Sequence, residues 1–474
     1  VMSKYRRPQS RLAIYGKRFI LLLVVCGLIY VTYPKIIKYF TYLDTDKILA
    51  DSTLQNRKFA QKIQEVTGEG FSAYLMEEHS NPIVSLNFAF KNAGSAYEDE
   101  NKQGLTYILA DMLTNGAGEN DALAFKDICA EYGIKIGFSA DKDYFSGYMI
   151  APKDNLPTAE KLLQDVLYLP LFAEEYLHLS KQQLLTMLQI QAEQPAAILN
   201  NKFNENIFAG HPYSRPSFGR AGDIEHISAD DLREYMQNRF AKNNIFVGIA
   251  GDISAAETQQ LLTNIFGGLA QEVQTRTLSQ LALQTSGAEY NIAKKQAQVM
   301  TRFAVAGTYR NSIDFYPLYL ANYIFGGSGL GSRISSIIRE KEGLTYGVYT
   351  YLSISGASAL LAGGFSAAPE NFAKAKELLL REWQNMAENG ATEAELAQAK
   401  KSLLAAYNLR FASIDDISSM LLEMQKFALG KDFLDKRNDY IEAVTLEEVN
   451  AAAKKYFREK PDFVNVGYIT EEKE

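Results

Sequence analysis

The sequence predicts an α+β protein: two homologous sheet-plus-helices domains preceded by one N-terminal transmembrane helix. Three observations predict it. A helix–strand unit recurs at an offset of 217 residues, both halves open with a strand followed by a helix, and an uncharged apolar run lies near the N-terminus.

The repeat comes first. Residues 228–252 align without a gap to residues 445–469. Ser228 and Thr445 stand as helix N-caps, and Asp230-Asp231 and Glu447-Glu448 place acids in the first turn, where the helix dipole favours them. Leu232 matches Val449, Phe240 matches Phe457, and Val247 and Ile249 match Val464 and Val466. Each copy reads as a capped amphipathic helix followed by a strand with apolar residues at i and i+2.

The openings correspond as well. Residues 83–94 and 299–307 read as strands, followed by helices over 104–113 and 315–325. In the first half, residues 134–140 and 144–151 form a hairpin around Asp141-Lys142-Asp143, with helices over 156–167 and 180–191. In the second, strands over 344–353 and 358–366 precede helices over 369–389 and 392–405. The expected domains are residues 48–268 and 288–474, joined by an extended polar linker, residues 269–287.

Residues 1–18 are basic, and Phe19 to Tyr33 carry no charge. A run of that length also suits a signal peptide. Three features favour a retained anchor over residues 19–33, with residues 34–47 as a stalk. No small-x-small cleavage site follows, Tyr30 and Tyr33 suit the interface, and Lys17, Arg18 and Lys35 can reach the headgroups. The positive flank places the N-terminus in the cytoplasm, so the body is expected on the periplasmic side of a cytoplasmic membrane. Residues 1–43 hold eight Lys and Arg and no acid, so against the total of −7 the remainder carries −15. A body that acidic argues against nucleic acid as partner. Cys26 and Cys129 alone build no disulfide framework or thiolate metal site.

The most specific motif is FGGSGLGSRISSIIREKEGLTYGVYT, residues 325–350. As a phosphate cradle it fails, because Ser332-Arg333 stands where Lys-Ser/Thr is required after Gly326 and Gly331. Four glycines (Gly326, Gly327, Gly329, Gly331) would let another backbone approach closely. The segment resembles the second-domain signature of the pitrilysin/insulinase metallopeptidase family. The resemblance extends to His211-Pro212-Tyr213 and to the duplicated helix–strand unit, and so to nearly the whole body. In that family an Arg and a Tyr seven residues later bind the substrate backbone. The resemblance assigns that role to Arg339 and Tyr346, beside Gly326, Gly327 and Gly329. Both side chains can donate to a peptide carbonyl or a developing oxyanion.

The first half departs from the family. Active members carry His-x-x-Glu-His on the first helix after a Gly-Leu pair. Aligned on Gly104-Leu105, the three positions hold Tyr107, Ala110 and Asp111. Zinc needs imidazoles or anionic oxygens in a tetrahedral array, and the Glu would activate the water. A distal Glu expected near Met187-Leu188-Gln189 is missing, the nearest being Glu193. His79, His178, His211 and His226 offer no paired metal-ligand spacing, and Cys129 reads as a core residue. The resemblance therefore implies a non-catalytic subunit. It would bind no zinc itself and would act on a peptide or unfolded protein beside a sister subunit with an intact zinc motif. The alternative is a structural or assembly scaffold of the same family.

Overall fold

The computed structural model describes residues 62–407, 411 and 413–467. The apolar run expected to anchor the chain, residues 19–33, lies outside them. Among the described residues no helix is long and apolar enough to cross a membrane.

The first half runs β1 (Gln64–Thr67), β2 (Ser72–Glu77), β3 (Ile83–Lys91), α1 (Leu105–Met112), β4 (Gly116–Ala117), β5 (Asn120–Asp121), α2 (Ala122–Tyr132), β6 (Lys135–Ala140) and β7 (Tyr144–Pro152). It continues through α3 (Leu156–Tyr168), α4 (Glu174–Glu193), α5 (Pro195–Ile207), α6 (Ala221–His226), α7 (Ala229–Arg239), β8 (Ile245–Gly251) and α8 (Ala255–Phe266). The second half runs β9 (Glu289–Ile292), β10 (Val299–Ala306), α9 (Phe315–Asn322), β11 (Thr345–Ile354) and β12 (Ala359–Ala367). Helices α10 (Pro369–Asn389), α11 (Glu393–Tyr407), α12 (Ile414–Lys426), α13 (Phe433–Ala443) and α14 (Leu446–Tyr456) lead to β13 (Asp462–Val466).

Two mixed sheets result, in the orders β1-β2-β8-β3-β7-β6 and β11-β12-β10-β13-β9. The one parallel pairing in each, β2 with β8 and β9 with β13, joins equivalent strands. Both repeat helices start as expected. Ser228 with Asp231 and Thr445 with Glu448 form reciprocal capping boxes, each satisfying two otherwise unpaired N–H groups.

The strand part of the repeat differs from the ungapped alignment. Val247 and Ile249 face the core made with their own half's helices, whereas Val464 and Val466 face α5 of the other half. Phe463 is the residue that points into the second half's own core. The two copies therefore slip by one residue between helix and strand, which turns every side chain to the opposite face. The sequence conceals the slip because both faces are covered. Every residue of β13 is buried, and all but Phe246 in β8.

The covers come from across the molecule. Helix α12, from the second half, lies over β2, β3 and β8 of the first sheet. Its Ile417, Leu421 and Met424 pack on Met76 and Ala250. Asp415 accepts from Ser85 Oγ and Asn87 Nδ2, both at 3.0 Å. The Gln425 amide bridges the parallel pair, accepting from Val247 N at 2.7 Å and donating to Ser72 O at 3.1 Å. Reciprocally, α5 of the first half lays Leu199, Phe203 and Ile207 on Ala304, Leu360, Ala362, Val464 and Val466. Arg302 seals that contact, its guanidinium 3.8 Å from the centre of the Phe203 ring and 2.9 Å from Asn200 Oδ1.

A buried polar network joins the halves where His211-Pro212-Tyr213 turns. The Tyr213 hydroxyl donates to Asp143 and accepts from Ala357 N at 3.0 Å, while Asp143 accepts from Gly356 N at 2.8 Å. His211 accepts from Tyr213 N and faces Ser279 O, both at 3.1 Å. Residues 272–288 have no regular structure, and Leu278, Leu281 and Leu283 pack on the α5 cluster.

Gly248 lets α12 approach β8. A Cβ there would sit 2.3 Å from Ser418 O and 2.5 Å from Leu422 N, both backbone atoms. Gly248→Val is expected to cost about 2 kcal/mol or more by overpacking. The check is a lowered urea midpoint with an unchanged slope, and a midpoint equal to wild type would contradict this packing.

Candidate functional site

Two clusters correspond to the residues singled out in sequence. The first is built on α1. Gly104 opens the helix at φ +98, and a Cβ there would meet Phe218 O at 2.9 Å, so only glycine fits. The exposed helix N–H groups are satisfied by a carboxylate that the sequence reading missed. Glu98, 2% exposed, accepts from Gly104 N at 2.9 Å and from Thr106 N and Oγ1 at 2.7 Å. Lying six residues before the glycine, it fits no local capping pattern. Only the intervening turn brings it back to the helix.

Helix α1 holds its first turn this way and presents Tyr107 and Asp111 outward. Tyr107 stands edge-on to Phe218 with ring centroids 5.2 Å apart, and its hydroxyl lies 3.9 Å from Met187 Sδ. Met187 thus stands on α4 beside the first degenerate position, where the distal Glu was sought, with a thioether in place of a carboxylate. Glu193, six residues on, pairs with Lys294 at 2.9 Å. Ala110 packs against the core. Asp111 is exposed, and Asn115 Nδ2 donates to its carbonyl at 3.0 Å.

Among the described residues no three His, Cys, Asp or Glu side chains gather to hold a metal. His79 is engaged by Asp252 at 2.6 Å and Glu77 at 3.3 Å, and His211 by the turn already described. His178 and His226 are exposed. Burial pushes the Cys129 thiol up, away from a thiolate. The residues present do not fit a zinc site of the family type, since a phenol, a methyl and one outward carboxylate replace two imidazoles and a base.

The second cluster is the glycine-rich segment and the start of β11. Helix α9 runs on through a π-helical turn, Tyr323–Gly327, and a second π-helical stretch covers Ser335–Lys341. Such insertions concentrate at functional sites. Gly326 is buried, and a Cβ on it would sit 2.4 Å from Thr350 Oγ1. Its lack of a side chain therefore serves packing on the chain's own β11, not the approach of another chain. Gly327 and Gly329 are exposed, and Gly329 has φ +66 with open space around it.

Arg333 fixes the following helix through a two-pronged pair with Glu395, at 2.5 and 2.6 Å. Arg339, two turns on, makes no ion pair or side-chain hydrogen bond with any described residue, Glu340 and Glu342 included. The chain reverses at Gly343, φ +66, and enters β11, an edge strand, at Thr345. Here the pairing with β12 breaks. Thr345 faces Ala367 and Gly347 faces Ser366, leaving Tyr346 as the extra residue of a β-bulge. A bulge re-aims its side chain, and Tyr346 is 83% exposed. Thr345 holds it in place by donating to Ser366 O at 2.6 Å and accepting from Gly347 N at 3.1 Å.

Two groups beneath α1 have altered acidity. Burial pushes the Glu98 carboxyl up to about 7, against the opposing pull of its Thr106 and Gly104 donors and of nearby Lys142. Burial pushes Lys142 down to about 8, partly offset by Glu98.

The insulinase profile, "Insulinase (Peptidase family M16)", matches residues 74–220, and "Peptidase M16 inactive domain" matches residues 226–403. The chain is 24% identical to the non-peptidase homolog YmxG of Helicobacter pylori over 390 residues, covering 82% of this chain and 89% of that one. It is 24% identical to the uncharacterized zinc protease YmxG of Bacillus subtilis, covering 77% and 88%. A crystal structure of a peptidase M16 inactive domain from Pseudomonas fluorescens superposes with a TM-score of 0.81 at 25% identity, covering 87% of this chain and all of that one.

Two outcomes are expected. Metal analysis of purified protein should find far less than one zinc per chain, and one tight zinc lost on Asp111→Ala would contradict the reading. For Glu98, the folded value near 7 lies above its ordinary value near 4.5, so the folded state binds the proton more tightly. Its contribution to stability is complete below about 4.5 and is lost as pH rises through 7, at about 1.4 kcal/mol per unit of difference. Unfolding midpoints of wild type should fall across that window relative to Glu98→Gln. Parallel curves would refute the assignment.

Proposed function

The chain belongs to the insulinase (M16) peptidase family, and we propose that it is the non-catalytic, substrate-binding subunit of a two-subunit zinc peptidase. A sister chain would supply zinc and the base, and this chain would supply Arg339 and Tyr346 to the polypeptide being cut. The observation that carries the reading is the contrast between the two clusters. At the positions where the family carries its zinc ligands, Tyr107 stands exposed with its hydroxyl 3.9 Å from Met187 Sδ. Arg339 and Tyr346 remain free donors on a rigid frame, one on a helix pinned by Arg333, the other on a bulge pinned by Thr345.

Held groups of this kind act through geometry. A guanidinium and a phenol beside a scissile bond can donate to substrate carbonyls, orient the chain, and stabilise charge that develops on the carbonyl oxygen. Arg339 is half-buried without an ion pair and Tyr346 is exposed, and substitutions at exposed positions usually change stability by about 0.5 kcal/mol or less. Their loss should separate function from folding.

The scaffold reading draws on one observation, the non-peptidase relative in Helicobacter pylori. One experiment separates the two. In a complex with the sister subunit, Arg339→Ala and Tyr346→Phe should each lower peptide cleavage by on the order of 10²-fold while leaving assembly and melting temperature unchanged. Cleavage at wild-type rates by both variants would leave the scaffold reading.

A further inference from the structure

Contacts to peptide carbonyls, such as Arg339 and Tyr346 would make, are open to any polypeptide and carry no preference for a side chain. A group able to confer one stands a short way along the same edge strand. Past the bulge, β11 resumes regular pairing with β12, and its residues alternate between the two faces of the sheet. Val348 faces the core of its own half. Tyr349 and Tyr351 take the opposite face, where Tyr351 packs on the cluster that α5 covers.

Tyr351 is committed to that contact. Its hydroxyl accepts from Arg302 Nη2 at 2.9 Å, and Arg302 lies on the Phe203 ring of α5. Tyr349 is placed differently. It is 50% exposed, and its hydroxyl has no hydrogen-bond partner among the described residues. Its ring stands 26° from the plane of the Tyr351 ring, with centroids 6.1 Å apart. Gly364, directly opposite on β12, leaves room for this orientation. A Cβ there would sit 3.2 Å from the Tyr349 hydroxyl and 3.5 Å from its Cζ. The ring therefore leans inward over Gly364, held on one side and open on the other. Tyr349 joins neither apolar cluster of its sheet, although exposed edge positions ordinarily carry charge.

The neighbours decide which side chain suits the open side. The positions beside Tyr349 on that face are Tyr351, Gly364, Ser366, Met300 and Arg302, with no acid among them. A lysine or arginine would find no counter-charge there and would face the Arg302 guanidinium. An aromatic or large aliphatic group would find a ring, and ring against ring adds the attraction of aromatic pairs to simple burial.

We propose that Tyr349 is a specificity-determining residue, taking an aromatic or large aliphatic side chain of the polypeptide held by Arg339 and Tyr346. An extended chain advances about 3.3 Å per residue, and Tyr349 lies two regular steps beyond Gly347, the neighbour of the bulge. The recognised side chain therefore stands two or three residues from the carbonyl at Tyr346. The inference rests on the proposed role of Arg339 and Tyr346 and names the class of substrate that role would serve.

The test uses the complex with the sister subunit and quenched-fluorescence peptides of alanine and serine, with a single Phe, Leu or Lys moved along them and the cuts mapped by mass spectrometry. Wild type should prefer Phe over Ala at one position, two or three residues from the cut, by on the order of 10-fold in kcat/KM. Tyr349→Thr, which keeps strand propensity, should bring that ratio close to one, and Tyr349→Phe should retain it. Equal cleavage of Phe and Ala peptides by wild type, a preference for Lys, or an unchanged ratio in Tyr349→Thr would each overturn the proposal. Arg339→Ala, measured alongside, keeps the two failures apart. It should slow cleavage of every peptide and leave the Phe-to-Ala ratio as in wild type. If it does so while Tyr349→Thr keeps the wild-type ratio, the role of Tyr349 is refuted and that of Arg339 stands. If Arg339→Ala cleaves at wild-type rates, the shared site itself fails and this inference fails with it.

Discussion

A sheet packed by helices on one side has a second apolar face to bury, and here neither half covers its own. Helix α12 crosses to the first sheet and α5 to the second, so each half completes the core of the other. The exchange explains why β8 and β13 are buried on both faces, why Gly248 lacks a side chain, and why Gln425 reaches between two strands of a sheet it does not belong to. The Asp143–Tyr213 network then ties the hairpin of one sheet to the loop between β11 and β12 of the other. Both clusters of interest hang on this frame. Helix α1 is fixed by Glu98 beneath it, and Tyr346 by a bulge on an edge strand next to the strand that α5 covers.

Within that common frame the two halves have diverged in opposite directions. In the first, the Tyr107 ring stands edge-on to Phe218 and its hydroxyl lies 3.9 Å from the Met187 thioether. In the second, polar groups have been kept where they satisfy nothing within the chain. The guanidinium of Arg339 makes no ion pair with any described residue, and the Tyr346 phenol is 83% exposed, both on well-held backbone. The same asymmetry marks the far side of the molecule. Helix α8 fills one flank, while among the described residues a cleft lies beside Trp383 on the equivalent flank.

Much of this was legible in the residues. The capping boxes, the Asp141-Lys142-Asp143 hairpin and helix α10 are local features, set by side chains a few positions apart. Three things were not legible. The ungapped repeat placed Val464 with Val247, yet the strands are one residue out of step, and apolar residues on both faces erased the alternation that would have revealed it. The glycines of residues 326–331 read as one loop open to a partner, but Gly326 is closed against Thr350. Glu340 and Glu342 lie within one helical turn of Arg339 in the sequence, yet neither makes an ion pair with it.

The sequence by itself determined the two-domain α+β plan and the family resemblance. Periodicity, capping and ligand chemistry act over one to a few helical turns and can be read from neighbours in the chain. Tertiary structure alone decided which sheet each helix covers, where Glu98 spends its carboxylate, which way Tyr346 points, and, among the described residues, which flank carries a cleft. Those outcomes depend on groups that meet across long separations, as Ser85 meets Ser418 at 2.8 Å. No local pattern encodes such a meeting, because the contact exists only once both halves have folded around each other.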